Sequence, residues 1–173
     1  MIGLEKYREE IRIGKPFWGH LPISQYLYNW NQAVKLLDSH PKDIVDKNYQ
    51  KFRVSLNNSH LRPSLPSFGK SIYDEINKLF VQNSNTLISF IGFGSENFSY
   101  PWHKDKMDVC LLQVIGDMNI RVENTEYEKS PRPFNTGDWV YIPRGNHHEI
   151  ITDQSRMTFS FGIEGEPNPK IYI

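Results

Sequence analysis

Three histidines and one aspartate stand at two places in this chain where they could hold a metal ion. His103 lies two residues before Asp105 in Pro-Trp-His-Lys-Asp, and His147 and His148 follow the run Gly-Asp-Trp-Val-Tyr-Ile-Pro-Arg-Gly-Asn. Neutral imidazole nitrogen and carboxylate oxygen are both good donors to a mid-sequence divalent ion. Two imidazoles and one carboxylate on a single face leave the opposite coordination positions open, which is the Fe(II) arrangement of non-haem oxygenases. A His-x-Asp or His-x-Glu pair alone carries little weight, since 6 histidines and 20 acidic residues in 173 give about 0.7 such pairs by composition. The plain alternative is a pair of solvated surface residues. What raises the pair is the second segment, in which a strand ends at Pro143-Arg144-Gly145 and presents histidine directly afterwards.

Residues two apart on an extended chain point to the same side, so His103 and Asp105 can both face one interior. Forty-three residues separate Asp105 from His148, room for about three strands with their turns. The elements that would position them are legible in the texture of the chain. Beyond about Thr86 short segments rich in β-branched and aromatic residues follow one another: TLISFIGFG, DVCLLQVIG, MNIRVEN, DWVYIPRG, HEIITD, RMTFSFGI and KIYI. Gly, Pro, Asn and Asp separate them and no helical pattern intervenes, so they should pair antiparallel in a sandwich or barrel. The first half reads as helix and loop. ISQYLYNWNQAVKLLDSH, 23–40, carries apolar residues at helical spacing and is stopped by Pro41. KFRVSL is a short strand candidate, NNSHLRPSLPSFG a loop, and SIYDEINKLF a second helix capped by Ser71. The expected class is mainly β with N-terminal helices: a helical and loop region over 1–85 packing on a barrel over 86–173, in one domain overall.

Composition narrows the functions. Lys plus Arg and Asp plus Glu each number 20, which leaves no basic surplus for nucleic acid to attract. The single cysteine, Cys110, excludes an internal disulfide and sits in an apolar run as a small core residue. MIGLEKYREE lacks the apolar stretch of a signal peptide, and no apolar run approaches the roughly 20 residues that span a bilayer. A soluble protein of an intracellular, cytoplasmic compartment is therefore expected, with the sequons at Asn57 and Asn97 unglycosylated. The glycines of IGFGSENF are followed by no helix and do not form a dinucleotide fingerprint.

Between about Ser89 and Ile163 three blocks stand in order: Pro101-Trp102-His103-Lys104-Asp105, Gln113-Val114-Ile115-Gly116, and Gly137-Asp138-Trp139-Val140-Tyr141-Ile142-Pro143-Arg144-Gly145-Asn146-His147-His148. In this order the chain resembles the Jumonji-C and related cupin-like hydroxylases, Fe(II)- and 2-oxoglutarate-dependent oxygenases built on a double-stranded β-helix. The resemblance implies a cupin or jelly-roll barrel, with His103, Asp105 and His148 as both metal ligands and catalytic centre. The Gly-x-x-His spacing from Gly145 selects His148 over His147, whose side chain should point the other way along the strand. It further implies Fe(II) and 2-oxoglutarate as cofactors and dioxygen as co-reactant. The substrate would be a small molecule or a peptide or protein side chain, hydroxylated at a C–H bond.

One departure matters. The family commonly carries Lys or Arg two residues after the glycine of Gln-x-x-Gly, paired with the far carboxylate of 2-oxoglutarate, and here that residue is Met118. Arg121 alternates to the opposite strand face from Met118. Arg156, with Thr158 two residues on, is similar to the Arg-x-Ser/Thr that other 2-oxoglutarate oxygenases place after the distal histidine. Guanidinium grips carboxylate bidentately, which makes Arg156 the candidate anchor. Tyr100 stands where relatives have a hydroxyl that bonds the same carboxylate. Arg156 as a surface residue starting a strand, and Tyr100 as barrel filling, are the plain alternatives. The competing function is a cupin-like metal protein that makes no use of 2-oxoglutarate. Keeping two buried histidines and a carboxylate with no metal would incur a desolvation cost without return, which argues against a degenerate module.

Overall fold

A computed structural model of the chain describes residues 3–21, 28–48, 53–57, 74, 78, 80–81, 86–92 and 100–167. A 3-10 turn, Leu4–Tyr7, leads into α1 (Arg8–Arg12), β1 (Phe17–His20) and α2 (Trp30–Ser39). After a second 3-10 turn, Pro41–Asp43, come β2 (Ile44–Asn48), β3 (Arg53–Asn57), β4 (Phe80–Val81) and β5 (Thr86–Gly92). The second half holds β6 (Tyr100–Lys104), β7 (Asp108–Ile115), β8 (Met118–Val122), β9 (Arg132–Phe134), β10 (Asp138–Ile142), β11 (His147–Ile151), β12 (Arg156–Ile163) and β13 (Glu166–Pro167).

Among the described residues these strands form a seven-stranded sheet in the order β1-β10-β7-β12-β5-β3-β2, a four-stranded sheet in the order β6-β11-β8-β9, and a small pair, β13 with β4. Their pairings are antiparallel. The two larger sheets enclose a common apolar interior of Val109, Leu111, Val140 and Ile142 from the large sheet, with Met118, Ile120, Val122, Phe134 and Ile150 from the small one. This is a double-stranded β-helix: the strand pattern predicts an antiparallel sandwich or barrel, and the family resemblance implies this form of it.

The large sheet is covered on its other face too. Cys110, Leu112, Val114, Trp139, Tyr141, Met157, Phe159 and Phe161 pack there with Ile11 of α1 and with Ala33 and Leu36 of α2. Burial on both faces explains why β7 and β10 read as almost unbroken apolar runs. β12 keeps an alternation, but an unusual one: Met157, Phe159 and Phe161 serve the helix-covered face, while Arg156, Thr158 and Ser160 line a cavity between the sheets.

The reading of the first half as helix and loop is corrected in two respects. β3 falls on the expected KFRVSL strand, but β1 and β2 join the large sheet as well, so it draws strands from both sides of residue 85. β1 is legible only through its partner: Gly19 pairs with Trp139, and a Cβ on Gly19 would stand 2.1 Å from the indole. The helix expected over 23–40 occupies Trp30–Ser39 within the described residues. Asn29 stops it there with a capping box, its side chain accepting from the Gln32 N–H at 3.1 Å while its own N–H donates to Gln32 Oε1 at 2.8 Å. Of the second helix, Asp74 and Lys78 are helical, but Phe80 belongs to β4. Ser71, the loop 58–69 and the KIYI strand lie outside the described residues.

Candidate metal centre and its cavity

β6 and β11 are neighbours in the small sheet, and His103 and His148 are direct cross-strand partners. Their rings lie 4.3 Å apart. Asp105 follows the end of β6, where its carbonyl accepts the Gly145 N–H at 3.0 Å and so joins the two segments that carry the motif. One donor atom from each of His103, Asp105 and His148 falls within 4.8 Å of the others. His148 Nε2 stands 3.6 Å from Asp105 Oδ2, inside the span of about 4.2 Å that two ligands of one ion at about 2.1 Å can cover. Backbone carbonyls set the tautomers: Nδ1 of His103 lies 2.7 Å from the Pro101 oxygen, and Nδ1 of His148 lies 3.4 Å from that of Asn146. Donating there leaves Nε2 of each ring as the lone-pair donor, the outer-sphere arrangement usual for ligating histidine. Burial holds the His148 imidazole below its ordinary pKa, and His103 acts in the same direction against the pull of Asp105. The neutral form is the one that ligates.

The turn presenting His148 is clamped by buried Asp108. Asp108 Oδ2 accepts the Tyr141 hydroxyl at 2.8 Å, and Oδ1 accepts the Arg144 N–H at 2.8 Å and Arg144 Nε at 3.0 Å. Arg144 also donates to the Gly165 carbonyl at 2.8 Å. Asp138 closes the preceding turn by accepting the Asn135 N–H at 2.8 Å. The conspicuous Gly-Asp-x-x-Tyr-Ile-Pro-x-Gly residues thus build β10 and its flanking turns and do not line the cavity described next. The Gln-x-x-Gly block works likewise: Gly116 sits at φ 72°, and a Cβ there would stand 2.4 Å from the Ser155 carbonyl oxygen. Only glycine meets both conditions without a backbone shift.

A cavity of about 260 Å³ opens beside the three ligands, lined by Tyr100, Leu111, Ile150, Arg156, Thr158 and Ser160 as well. Tyr100 and His103 are three apart and would face opposite ways on a regular strand. The register with β11 shifts between His148↔His103 and Ile150↔Tyr100, a bulge whose extra residue turns Tyr100 to the side of His103. Arg156 is 3 % exposed, which removes the reading of it as a surface residue. Its Nη1 donates to Thr158 Oγ1 at 2.6 Å, and Met118 Sδ lies 4.0 Å from that same oxygen. The guanidinium from β12 therefore reaches the hydroxyl beside the residue where a basic side chain was expected. Leu111, Ile150 and Ser160 were not picked out from the sequence, although Ser160 continues the alternation of Arg156 and Thr158.

His147 and Arg121 face away from the cavity. His147 stacks on Trp102 with centroids 5.7 Å apart and 5° between planes, and its Nδ1 lies 2.9 Å from Glu123 Oε2. The His147 backbone N–H also reaches Glu123, and these bonds hold the Glu123 carboxyl below its ordinary range. Arg121 pairs with Glu149 and lies over Trp102 at 5.2 Å. Cys110 is fully buried in the large-sheet core.

No protein-family model matches the sequence, and no curated protein matches it. Among solved structures, YcfD, a ribosomal oxygenase from Escherichia coli, in complex with cobalt and 2-oxoglutarate, aligns with TM-score 0.64 and 14% identity over 90% of this chain and 49% of that one. Another YcfD structure gives TM-score 0.60 and 14% identity over 91% and 50%. A cupin superfamily protein from Desulfitobacterium hafniense gives TM-score 0.40 and 14% identity over 50% and 73%. The chain spans about half the length of YcfD, and at 14% identity the likeness is one of fold. No helix among the described residues is long and apolar enough to cross a membrane.

Proposed function

We propose that this chain is an Fe(II)- and 2-oxoglutarate-dependent oxygenase that hydroxylates a small molecule or a peptide or protein side chain. The observation that carries the reading is one cavity with His103, Asp105 and His148 on one wall and the buried guanidinium of Arg156 on another. The donor set fits the metal: two histidines whose Nδ1 atoms are committed to carbonyls and a half-exposed carboxylate. When bound, iron and 2-oxoglutarate would supply oxidative decarboxylation coupled to C–H hydroxylation. The chain's own residues bind and orient. His103, Asp105 and His148 would hold the ion, and Arg156 would take the far carboxylate of 2-oxoglutarate with help from Thr158 and Tyr100. Leu111 and Ile150 give the cavity apolar walls.

Succinate formation from 2-oxoglutarate by the Fe(II)-loaded chain, against pooled metabolites and peptides, tests the reading. Turnover lost in His103→Ala and Asp105→Ala is the expected result. A second reading, a cupin-like metal protein without 2-oxoglutarate, is favoured by Met118, which is 4 % exposed and brings no charge to the cavity. Metal binding with no calorimetric response to millimolar 2-oxoglutarate would select it.

A further inference from the structure

A chain of hydrogen bonds runs from Arg156 to the turn between β7 and β8, and the groups that make it fix its direction. Gln113 Nε2 stands 3.0 Å from the Ile115 carbonyl oxygen and 2.9 Å from that of Gly116. Carbonyl oxygens only accept, so the two amide hydrogens are committed there and Oε1 is the end turned towards Thr158. Oε1 also only accepts, so the Thr158 hydroxyl, 2.7 Å away, donates its single hydrogen to it. With that hydrogen used, Thr158 Oγ1 meets Arg156 Nη1 as an acceptor, at 2.6 Å. Gln113, Thr158 and Arg156 are 0 %, 2 % and 3 % exposed, so bulk water offers no competing partner.

We propose that Gln113 and Thr158 are positioning residues for Arg156, which together hold its guanidinium ready as a carboxylate receptor in the cavity. The proposal rests on the reading of Arg156 as the anchor for 2-oxoglutarate. A long arginine side chain has many rotamers to lose when it grips an anion. Fixing one nitrogen beforehand removes part of that ordering cost from the binding step. The direction of the chain matters as much as its existence. Without the Gln113 oxygen, the Thr158 hydrogen keeps only the Met118 sulfur, 4.0 Å away, as an acceptor, a weak one, and the orientation that aims the hydroxyl oxygen at Nη1 is no longer fixed. The conspicuous glutamine of Gln-x-x-Gly thereby acquires a role in ligand binding although it does not line the cavity.

Calorimetry of 2-oxoglutarate with the full chain loaded with Mn(II) tests this. Thr158→Val keeps the branched shape and removes the hydroxyl; it should weaken 2-oxoglutarate about tenfold while leaving Mn(II) affinity at the wild-type value. Thr158→Ser, which restores the hydroxyl, should return affinity to within about threefold of wild type. Gln113→Met acts on the same hydroxyl from its other side and should weaken 2-oxoglutarate likewise, so the test survives if either variant fails to fold. Thr158→Val binding as tightly as wild type, while Arg156→Met does not bind, would overturn the positioning role and leave the anchor standing. Equal losses in Thr158→Val and Thr158→Ser would also overturn it, because the effect would then be one of packing. Wild type without 2-oxoglutarate binding at millimolar concentration would remove the anchor and this inference with it.

Discussion

His147 and His148 are chemically identical neighbours with opposite surroundings, and alternation along β11 is the cause. His148 is buried and faces His103 across the strand pair, while His147 lies outside against Trp102 and Glu123. Replacing His148 with Ala should weaken Mn(II) by more than about 100-fold, beyond the usual cost of losing an outer-sphere partner. His147→Ala should leave Mn(II) affinity nearly unchanged, and titration of the two variants separates them. The reverse result would mean that the Gly-x-x-His spacing has been misassigned. The two arginines differ in the same way. Arg156→Ala strips a charge-assisted contact from a desolvated cavity, a loss of about 2 to 5 kcal/mol, or roughly 30-fold or more in 2-oxoglutarate affinity. Arg121→Ala opens a pair with Glu149 on the outer face and should change neither ligand's affinity in the same calorimetric series.

Among the elements, β7 and β12, which wall the cavity, were the most legible, because their register is forced by burial, whereas β6, which carries His103 and Tyr100, was not among the expected strands. β12 over Arg156–Ile163 coincides with the RMTFSFGI run, and β7 differs from DVCLLQVIG only by the terminal Gly116. A one-residue slip in β12 would put Phe159 into the cavity and Arg156 into the apolar core. β1 and β2 were not legible: Phe-Trp-Gly-His has no alternation, and Lys47 and Asp46 of β2 resemble a loop until a neighbouring strand supplies hydrogen bonds. The bulge in β6 was equally hidden, since nothing in Tyr-Pro-Trp-His marks which residue is extra. The start of α2 illustrates the same limit. Apolar periodicity runs back through Leu27, whereas the capping box at Asn29 decides where the helix begins. Tyr28, just before that cap, packs edge-on against Phe159 and joins the core beneath α2. Burial pushes its phenol pKa up to about 12 from an ordinary 10.0. A group whose folded pKa is raised contributes stability that is present below the unfolded value and lost as pH rises through the folded one. Urea unfolding should therefore show stability falling between pH 10 and 12, with a shallower fall in Tyr28→Phe. An identical slope in the variant would place Tyr28 in solvent and argue against this docking of α2.

At the scale of the whole molecule the ligands come from separate parts of the chain, and the fold is what brings them together. His103 and Asp105 flank the end of β6, His148 lies forty-three residues beyond Asp105, and Arg156 reaches the cavity from the opposing sheet. An unfolded chain keeps only the His103-Asp105 pair close, so a divalent ion should bind the native state far more tightly than the denatured one. Linkage then makes metal a stabiliser of the entire barrel: at a concentration about 100 times its dissociation constant, the gain is about 2.7 kcal/mol. For a chain of this size each kcal/mol raises the melting temperature by about 2 to 4 °C, so saturating Mn(II) should raise it by several degrees. The same addition to Asp105→Ala should do much less, because two histidines alone hold the ion weakly and no other carboxylate among the described residues joins the group. Thermal melts of the two proteins with Mn(II) and with a chelator measure the difference directly. A melting temperature indifferent to Mn(II) in the wild type would mean that the three donors do not close on an ion, and both the oxygenase and the alternative metal protein would have to be abandoned.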